Sequence, residues 1–380
     1  MENRKILYIE DDSLIMELFR ASFEQFLPHT TFYGASTGKE GLEIARTIHP
    51  HLIMLDMGLP DMAGIDILIE LKKDPHFTAT PVIVVTGSTD SDDKMAALEN
   101  GAIDFLSKPC NIRELIARIT LHLRQIDYIQ KIEEKNAQLE EDLEAGRKIQ
   151  FKLLPPKQRE IGPFTFNGFL FPSMHLSGDF LDYFPIDERY TGFYIADVSG
   201  HGVSSAFVTV FLKSFVQNAL EQYHGGVEKD IINPDKLCSK LNRNLLDERL
   251  GKYMTAFYAV MDSQTNTLTY TIAGQYPFPI ITHMGSTRYL SGTNVPLGLF
   301  PQSEYSAETI SLDDIHEIIL ISDGVLEILP HPTLREKQSF LLNITQKTDI
   351  TIDSLVEAFG LQERTSLPDD ITFLLVQRRK

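Results

Sequence analysis

Acidic residues in the first third of the chain follow short apolar runs that have the composition of buried strands. Glu10 and Asp11 follow Ile6–Ile9, and Asp56 follows Leu52–Leu55. Carboxylates gathered in one place repel one another unless a cation lies between them, and Mg²⁺ prefers oxygen ligands. The pattern therefore predicts a magnesium site formed by Glu10, Asp11 and Asp56.

Two further residues give that site a possible reaction. Thr86 follows the apolar run Val82–Val85, and Lys108 follows Ile103–Leu106. Mg²⁺ and Lys108 would neutralise an incoming phosphoryl group, Asp56 would attack it as a carboxylate nucleophile, and the Thr86 hydroxyl would bond the new phosphate. The alternative is that these residues only cap loops in an unrelated α/β domain.

Four aspartates farther along the chain stand in short polar motifs beside apolar runs. The motifs are Ser-Gly-Asp-Phe at Asp179, Asp-Val-Ser-Gly-His-Gly from Asp197, Ser-Asp-Gly at Asp323 and Pro-Asp-Asp-Ile-Thr at Asp369. Carboxylates that separate strands bring together can bind two Mg²⁺ or Mn²⁺ ions, which lower the pKa of a bridging water and stabilise in-line phosphoryl transfer. Water, rather than a side chain, would then be the nucleophile.

These motifs also have structural interpretations. Ser-Asp-Gly by itself is common in turns. His201, in the glycine-rich motif, is expected to be a turn residue or a neighbour of the metal ligands rather than a ligand. Asp370 is left out of the predicted ligand set, and the whole set could belong to an inactive fold whose aspartates only stabilise turns.

The acidic residues of the first third require a parallel sheet to bring them together. Between residues 4 and 123 the apolar runs alternate with amphipathic stretches, which predicts a doubly wound α/β domain. In such a sheet the carboxyl ends of the strands form the edge where ligands bind. The predicted helices are Leu14–Phe26, Gly38–Ile48 and Ile112–Leu123.

Residues 124–155 are predicted to form a helical connector. The positions of its apolar seam are Ile129, Ile132, Asn136, Leu139 and Leu143. They recur at alternating steps of three and four residues, which is typical of a parallel coiled-coil dimer. A single helix packed against either domain would give the same pattern, and Gly146 and Gln150 break the seam. Pro155-Pro156 should end the helix, because proline cannot continue it.

Residues 156–380 are predicted to form a mixed α+β domain. The predicted strands are Phe164–Phe171, Thr191–Asp197, Thr255–Asp262, Thr267–Ile272, Glu317–Ile321 and Ile371–Gln377. The predicted helices are Val203–Tyr223 and Pro234–Arg249. The organisation is therefore a domain at 1–123, a connector at 124–155 and a second domain at 156–380.

Composition narrows the classes of function. The chain has 380 residues and a net charge of −18, so nucleic acid and anionic membranes would be repelled by most of its surface. Its two cysteines, Cys110 and Cys238, exclude a disulfide framework and a cysteine-rich zinc site. The beginning of the sequence is unlike a signal peptide. We expect a cytoplasmic protein that binds neither nucleic acid nor membranes.

The first domain resembles a CheY-like receiver. In that family the matching positions are a metal-binding acid pair at Glu10 and Asp11, a phosphoacceptor at Asp56, a switch hydroxyl at Thr86, a lysine at Lys108 and a switch aromatic at Phe105. The resemblance implies bound Mg²⁺. It also implies a histidine kinase or a phosphotransfer protein as the phosphoryl donor.

Residues 148–378 resemble the SpoIIE-like branch of the metal-dependent protein phosphatases (protein phosphatase 2C), an α+β sandwich. By this resemblance Asp179, Asp197, Asp323 and Asp369 are catalytic metal ligands, Val198 adds a backbone carbonyl, and two Mn²⁺ or Mg²⁺ ions are bound. The segment Arg147–Pro155 is similar to the branch's leading helix. Ser177 and Gln275 depart from the branch, which often has glycine and histidine at these two positions.

Together the two resemblances predict a response regulator whose output is a phosphatase. Its substrate would be a phosphoserine or phosphothreonine protein of the STAS type that antagonises an anti-sigma factor. The connector seam predicts, separately, that the protein is a homodimer. The alternative is a non-catalytic adaptor that binds a sigma factor or its regulator. A transcription factor is disfavoured, because no basic recognition helix follows the receiver.

Overall fold

The computed structural model describes residues 3–87, 91–283, 285–292, 294–346, 350–364 and 366–379. These residues form two compact units, Met1–Gln138 and Leu139–Lys380.

The first unit is a parallel sheet with helices on both faces. Its strands are β1 (Arg4–Ile9), β2 (Thr30–Ala35), β3 (Leu52–Asp56), β4 (Val82–Thr86) and β5 (Asp104–Ser107). Its helices are α1 (Ser13–Phe26), α2 (Gly38–Ile48), α3 (Gly64–Lys73), α4 (Ser91–Glu99) and the first part of α5 (Ile112–Leu153). The strand order is β2-β1-β3-β4-β5 with every neighbouring pair parallel. The predicted doubly wound fold is confirmed.

The centre of this sheet is buried on both faces. β3 and β4 are buried along their whole length, as expected for continuous apolar runs in a parallel sheet. Helices α2 and α3 pack on one face, and α1 and α5 on the other. Because all five strands point the same way, their carboxyl ends share one edge.

Helix α5 contains both the predicted last helix of the first domain and nearly all of the predicted connector. It runs unbroken from Ile112 to Leu153 and ends just before Pro155-Pro156, where proline prevents a further turn. Ile129, Ile132 and Leu139 are among its exposed apolar side chains.

The second unit contains two antiparallel sheets. Its strands are β6 (Gln158–Ile161), β7 (Phe164–Phe171), β8 (Asp179–Pro185), β9 (Tyr190–Val198), β10 (Met254–Asp262), β11 (Thr267–Ala273), β12 (Ile280–His283), β13 (Ser286–Tyr289), β14 (Glu308–Ser311), β15 (Ile315–Ile321) and β16 (Ile371–Arg378). Its helices after α5 are α6 (Val203–His224), α7 (Pro234–Asp247), α8 (Gly324–Ile328), α9 (Leu334–Thr345) and α10 (Ile352–Ala358). Two short 3-10 turns lie at Asp230–Ile232 and Leu361–Glu363.

The two sheets face each other across a shared core. One has the order β14-β11-β10-β9-β8 and the other β13-β12-β15-β16-β7-β6. Phe193 and Phe257 of the first sheet are buried with Phe166 and Leu374 of the second. Helices α6 and α7 pack on the outer side of the first sheet, and α9 and α10 on that of the second. The predicted α+β sandwich is confirmed.

Helix α7 is shorter than predicted. The helix predicted as Pro234–Arg249 ends at Asp247, because Arg249 adopts a left-handed conformation with φ 51° that an α-helix cannot contain.

Among the described residues, α6 alone is long and apolar enough to span a membrane, judged by length and composition only. Its residues Val208, Leu212 and Val216 are buried against the outer face of the first sheet.

Candidate active sites

The first candidate site lies at the carboxyl edge of the parallel sheet. Carboxylate oxygens of Glu10, Asp11 and Asp56 lie within 4.8 Å of one another, and they are the only such group of acids, histidines or cysteines among the described residues. Glu10 and Asp56 are buried, whereas Asp11 is exposed. Three converging carboxylates fit a hard divalent cation such as Mg²⁺, with one side open to solvent.

Lys108 reaches this group from the end of β5. Its Nζ lies 2.8 Å from Glu10 Oε2 and 3.0 Å from Asp56 Oδ2. Burial disfavours the charged ammonium, but hydrogen bonds to Glu10 and Asp56 outweigh it and raise the pKa of Lys108. A lysine held in its charged form beside Asp56 can neutralise a phosphoryl group as it arrives.

Tyr8 is a further member of this site, and the sequence patterns did not indicate it. Its hydroxyl donates a hydrogen bond of 2.5 Å to Glu10 Oε2, and its ring is fully buried against Phe19. Residues two apart on a strand share a face, so the available signal was the spacing between Tyr8 and Glu10. Tyr8 and Lys108 together orient the Glu10 carboxylate.

The predicted switch residues lie on β4, which pairs with β3, and on β5, which pairs with β4. Thr86 is the last residue of β4 and is buried. Phe105, on β5, is half-buried, and the Lys94 ammonium lies 5.4 Å from the centre of its ring. The backbone N–H of Lys108 donates to the Thr86 carbonyl at 2.7 Å, which joins the ends of β4 and β5.

The second candidate site lies at one end of the sandwich, where each sheet contributes two acids. Asp179 begins β8 and pairs directly with Asp197 of the antiparallel β9, so the two Cβ atoms are about 4.5–5.5 Å apart. Asp323 follows β15, and Asp369 precedes β16. These two strands are hydrogen-bonded neighbours. Two acids from consecutive strands of one sheet and two from the other sheet are thus brought to one end of the sandwich.

Three of these acids line one cavity of about 420 Å³. Its walls include Asp197, Val198, Asp323 and Asp369. Asp179 does not line the cavity and is only 2% exposed. In the part of the chain that the structure describes, no three carboxylate oxygens from different members of these four acids lie within 4.8 Å of one another. The acids are therefore spread out rather than gathered at a single point.

Burial, and for each group the charge of a neighbouring aspartate, raises the pKa values of all four carboxyl groups. Burial, and then the charges of Asp323 and Asp369, raise the pKa of Asp197 to about 7. Burial, and then Asp197, raise the pKa of Asp179 well above its ordinary value. The pKa values of Asp323 and Asp369 are raised chiefly by burial in the same way.

This electrostatic arrangement suits bound cations. Within the described ranges no lysine or arginine forms an ion pair with Asp179, Asp197, Asp323 or Asp369. Asp179 is buried and Asp197 and Asp369 are half-buried, so charged carboxylates gathered here without a cationic side chain repel one another, and bound cations would relieve that repulsion. Hard oxygen donors of this kind fit Mg²⁺ or Mn²⁺.

A hydroxyl group and a glycine hold Asp179 in place. The Thr372 hydroxyl donates to Asp179 Oδ2 at 2.6 Å. Gly178 lies so close to β9 that an added Cβ would be 3.0 Å from the Val198 carbonyl oxygen, so a side chain there would push the two segments apart. These contacts set Asp179 directly against the Asp197–Val198 segment.

Gln150, near the end of α5, contacts the segment that precedes Asp179. Its Nε2 donates to the Ser177 carbonyl at 2.7 Å and to Thr209 Oγ1 at 2.9 Å, and its Oε1 accepts from the Ser177 N–H at 3.1 Å. Gln150 is buried. The break in the predicted coiled-coil seam at Gln150 is explained by these hydrogen bonds, which its side chain makes within the second unit.

Comparison with known proteins identifies both units. Residues 187–379 match the family described as Stage II sporulation protein E (SpoIIE), and residues 6–120 match the response regulator receiver domain. The chain belongs to the SpoIIE family. It carries a receiver domain before its SpoIIE domain, as the resemblances predicted.

Individual relatives match one domain or the other. The phosphoserine phosphatase RsbP of Bacillus subtilis is 31% identical over 193 residues, which cover 49% of this chain and 45% of RsbP. The KDP operon regulator KdpE of Escherichia coli is 40% identical over 120 residues, covering 32% of this chain and 51% of KdpE. The chain therefore spans about half the length of the curated relatives it matches.

A solved structure supports the fold of the SpoIIE domain. The SiaA-PP2C domain of Pseudomonas aeruginosa aligns with a TM-score of 0.51 and 18% identity, covering 65% of this chain and 99% of that domain. At this identity the likeness shows the sandwich fold alone.

Gln275, one of the two departures from the SpoIIE-like branch, does not line the cavity of the SpoIIE domain. It is 2% exposed, and its Nε2 donates to the Ile321 carbonyl at 3.2 Å. Ile321 ends β15 two residues before Asp323, so Gln275 supports the strand that carries Asp323. Its side chain is too buried to contact a substrate directly.

Proposed function

We propose that this protein is a response regulator whose output domain is a metal-dependent phosphatase for phosphoserine or phosphothreonine in a partner protein. The observation that carries the proposal is the convergence of Asp197, Val198, Asp323 and Asp369 on one cavity of a SpoIIE-family domain. Asp179 supports them from behind, opposite Asp197.

The cavity has the features that phosphoester hydrolysis requires. Two Mn²⁺ or Mg²⁺ ions held by Asp179, Asp197, Asp323, Asp369 and the Val198 carbonyl would lower the pKa of an attacking water and neutralise the phosphoryl oxygens. Asp323 is exposed on the cavity wall, so a phosphoseryl side chain can enter from solvent. The carboxylates orient the reacting groups without forming a covalent intermediate.

In the receiver we propose that Glu10, Asp11 and Asp56 bind Mg²⁺ and that a histidine kinase or a phosphotransfer protein donates a phosphoryl group to Asp56. Thr86, Lys108 and Phe105 then respond to the new phosphate. Lys108 already contacts both Glu10 and Asp56, so addition of a phosphoryl group must rearrange its bonds.

We further propose that the substrate is a phosphorylated STAS-type antagonist of an anti-sigma factor, in the cytoplasm. RsbP, a phosphoserine phosphatase similar over the SpoIIE domain, supports the phosphoserine specificity, and the substrate class follows from the SpoIIE-like resemblance. The adaptor alternative has less support, because an adaptor has no need for carboxylates gathered around a cavity.

Phosphate release from a phosphorylated STAS protein tests the catalytic proposal. With Mn²⁺ present we expect steady release of inorganic phosphate, and with excess EDTA we expect none. The peptide bonds of the substrate should remain intact, which mass spectrometry verifies. Equal release in EDTA would exclude a metal-dependent reaction. Lack of release in Mn²⁺ from every phosphoserine and phosphothreonine protein tested would favour the adaptor.

Regulation is proposed to pass through the 124–155 connector. Ile129, Ile132 and Leu139 are exposed along α5, and burying such side chains against a second copy would lower the free energy of a dimer. A phosphoryl group on Asp56 can change the output only if it favours one of two connector arrangements over the other.

Replacing Leu139 and Leu143 with aspartate should prevent dimer formation, because it would place like charges in a buried seam. Light scattering should then give the mass of a monomer, and beryllofluoride, a phosphoryl mimic, should no longer change the phosphatase rate. The matched control replaces Ala137 and Gln138 with aspartate, which adds the same charge at exposed positions off the seam. A monomeric seam variant that responds fully to beryllofluoride would exclude this route of regulation.

A further inference from the structure

Asp370 is a buried carboxylate beside the phosphatase cavity that the metal site does not require as a ligand. It follows Asp369 directly, but it does not line the cavity and is 4% exposed. An aspartate is almost never buried to this degree unless hydrogen bonds or cations satisfy it. Its partners therefore indicate its role.

Both oxygens of Asp370 accept hydrogen bonds from one loop. Oδ1 accepts from the backbone N–H and the hydroxyl of Ser173, at 2.6 and 2.9 Å. Oδ2 accepts from the Ser177 hydroxyl and the Gly178 N–H, at 2.8 and 2.7 Å. The loop at residues 172–178 connects β7 to β8, and Asp179 is the first residue after it.

The backbone of Asp370 is fixed to the other acids of the site. Its N–H donates to Asp369 Oδ1 at 2.8 Å, and its carbonyl accepts from the Ser322 hydroxyl at 3.3 Å. Gly324 approaches so closely that an added Cβ would be 2.1 Å from the Asp370 carbonyl oxygen. Asp370 thus contacts the residues that carry Asp179, Asp323 and Asp369.

We infer that Asp370 is a positioning residue, which holds the 172–178 loop so that Asp179 stands opposite Asp197 and the site can bind metal. The inference rests on the proposed metal-dependent phosphatase function. A direct ligand role does not fit, because Oδ1 already accepts two hydrogen bonds and Oδ2 three, including one from the Asp179 N–H at 3.5 Å, and Asp370 does not line the cavity. The partners lie 192 to 197 positions away along the chain, so only the folded domain brings them together.

Substitution by asparagine would test this role with almost no change in volume. An amide has one accepting oxygen, and its NH₂ group can only donate. Whichever way the amide turns, the NH₂ group must face a backbone N–H, that of Ser173 or that of Gly178, and neither can reverse its role. One buried N–H is then left without an acceptor, so the loop should shift while the rest of the fold remains.

We therefore expect Asp370→Asn to weaken Mn²⁺ binding by about 10- to 100-fold, the usual effect of losing a residue that orients metal ligands. At saturating Mn²⁺ the kcat for p-nitrophenyl phosphate should return to within a few-fold of wild type. Titration calorimetry on the full chain measures the binding directly and needs no substrate. Asp353→Asn, the same change at an exposed site on α10, is the control and should leave both quantities unchanged.

A second variant covers the case in which Asp370→Asn does not fold. Ser177→Ala removes one donor to Asp370, and with it the Ser177 hydroxyl that accepts from the Asp179 N–H at 3.1 Å. It should weaken Mn²⁺ binding several-fold without loss of kcat at saturation.

The inference would be overturned if both variants bound Mn²⁺ as tightly as the wild type. It would also be overturned if Asp370→Asn kept the wild-type affinity for Mn²⁺ but had a low kcat at saturating Mn²⁺. A wild type that binds Mn²⁺ but releases no phosphate would overturn the proposed function alone. The effect of Asp370→Asn on Mn²⁺ affinity would still decide the positioning role.

Discussion

Replacing Asp323 with asparagine is expected to reduce phosphate release by more than about a hundredfold, since changing residues that only orient metal ligands already costs 10- to 100-fold. Asp323 lies on the cavity wall with Asp197 and Asp369. Loss of its charge should remove or misplace one metal ion and with it the activated water.

The same substitution should not destabilise the metal-free domain. Burial and the neighbouring Asp369 raise the pKa of Asp323, which means that its charged form is less favourable in the metal-free folded state than in the unfolded chain. Removing that charge relieves repulsion, so the thermal midpoint in EDTA should stay equal or rise.

The measurement is the rate of phosphate release at saturating Mn²⁺, with thermal unfolding recorded in EDTA. Asp353→Asn, which removes a charge from an exposed position on α10, should keep the wild-type rate. If Asp323→Asn turned over at the wild-type rate under saturating Mn²⁺, Asp323 would not be a ligand and the binuclear site would be wrongly assigned.

Asp56→Asn is expected to abolish labelling of the receiver by acetyl phosphate and Mg²⁺. Asp56 ends β3, is 5% exposed, and has the Lys108 ammonium 3.0 Å from its Oδ2. A neutral amide cannot attack the phosphoryl group, whereas a carboxylate held beside Mg²⁺ and Lys108 can. The wild-type product should be an acyl phosphate that alkali hydrolyses.

Intact-protein mass spectrometry before and after alkali treatment measures this label. Asp66→Asn, which changes an exposed aspartate on α3, should be labelled as well as the wild type. Equal labelling of Asp56→Asn would move the phosphoacceptor to another residue.

The parts of the fold that could be predicted from sequence are those with long apolar or periodic patterns. The predicted strand Phe164–Phe171 matches β7 at both ends, and its residues alternate between buried and half-buried. β2 was missed because its residues Thr30–Ala35 are mostly half-buried and lack a continuous apolar run.

β8 was missed for another reason. Asp179 and Asp182 interrupt its apolar residues, yet both are buried. Asp182 forms an ion pair of 2.5 Å with Lys213 of α6, a contact that only the folded domain brings about. A strand whose charges are satisfied by distant residues has no signal in its own sequence.

The candidate sites likewise contain residues that the sequence could indicate and contacts that it could not. Motif position indicated Asp197, Asp323 and Asp369, which share a cavity. The bond from Thr372 to Asp179 joins residues 193 positions apart, and no local pattern could reveal it. The burial of Asp179 behind the cavity is likewise a consequence of how the two sheets meet.

Control of the phosphatase by the receiver in the same chain is tested most directly by one rate measurement. Phosphate release from a phosphoserine STAS protein in Mn²⁺ is followed with and without beryllofluoride, for the wild type and for Asp56→Asn. We predict that beryllofluoride changes the wild-type rate at least several-fold and leaves the rate of Asp56→Asn unchanged, because the mimic needs the Asp56 carboxylate. A wild-type rate that beryllofluoride does not alter, or the same change in both proteins, would contradict receiver control.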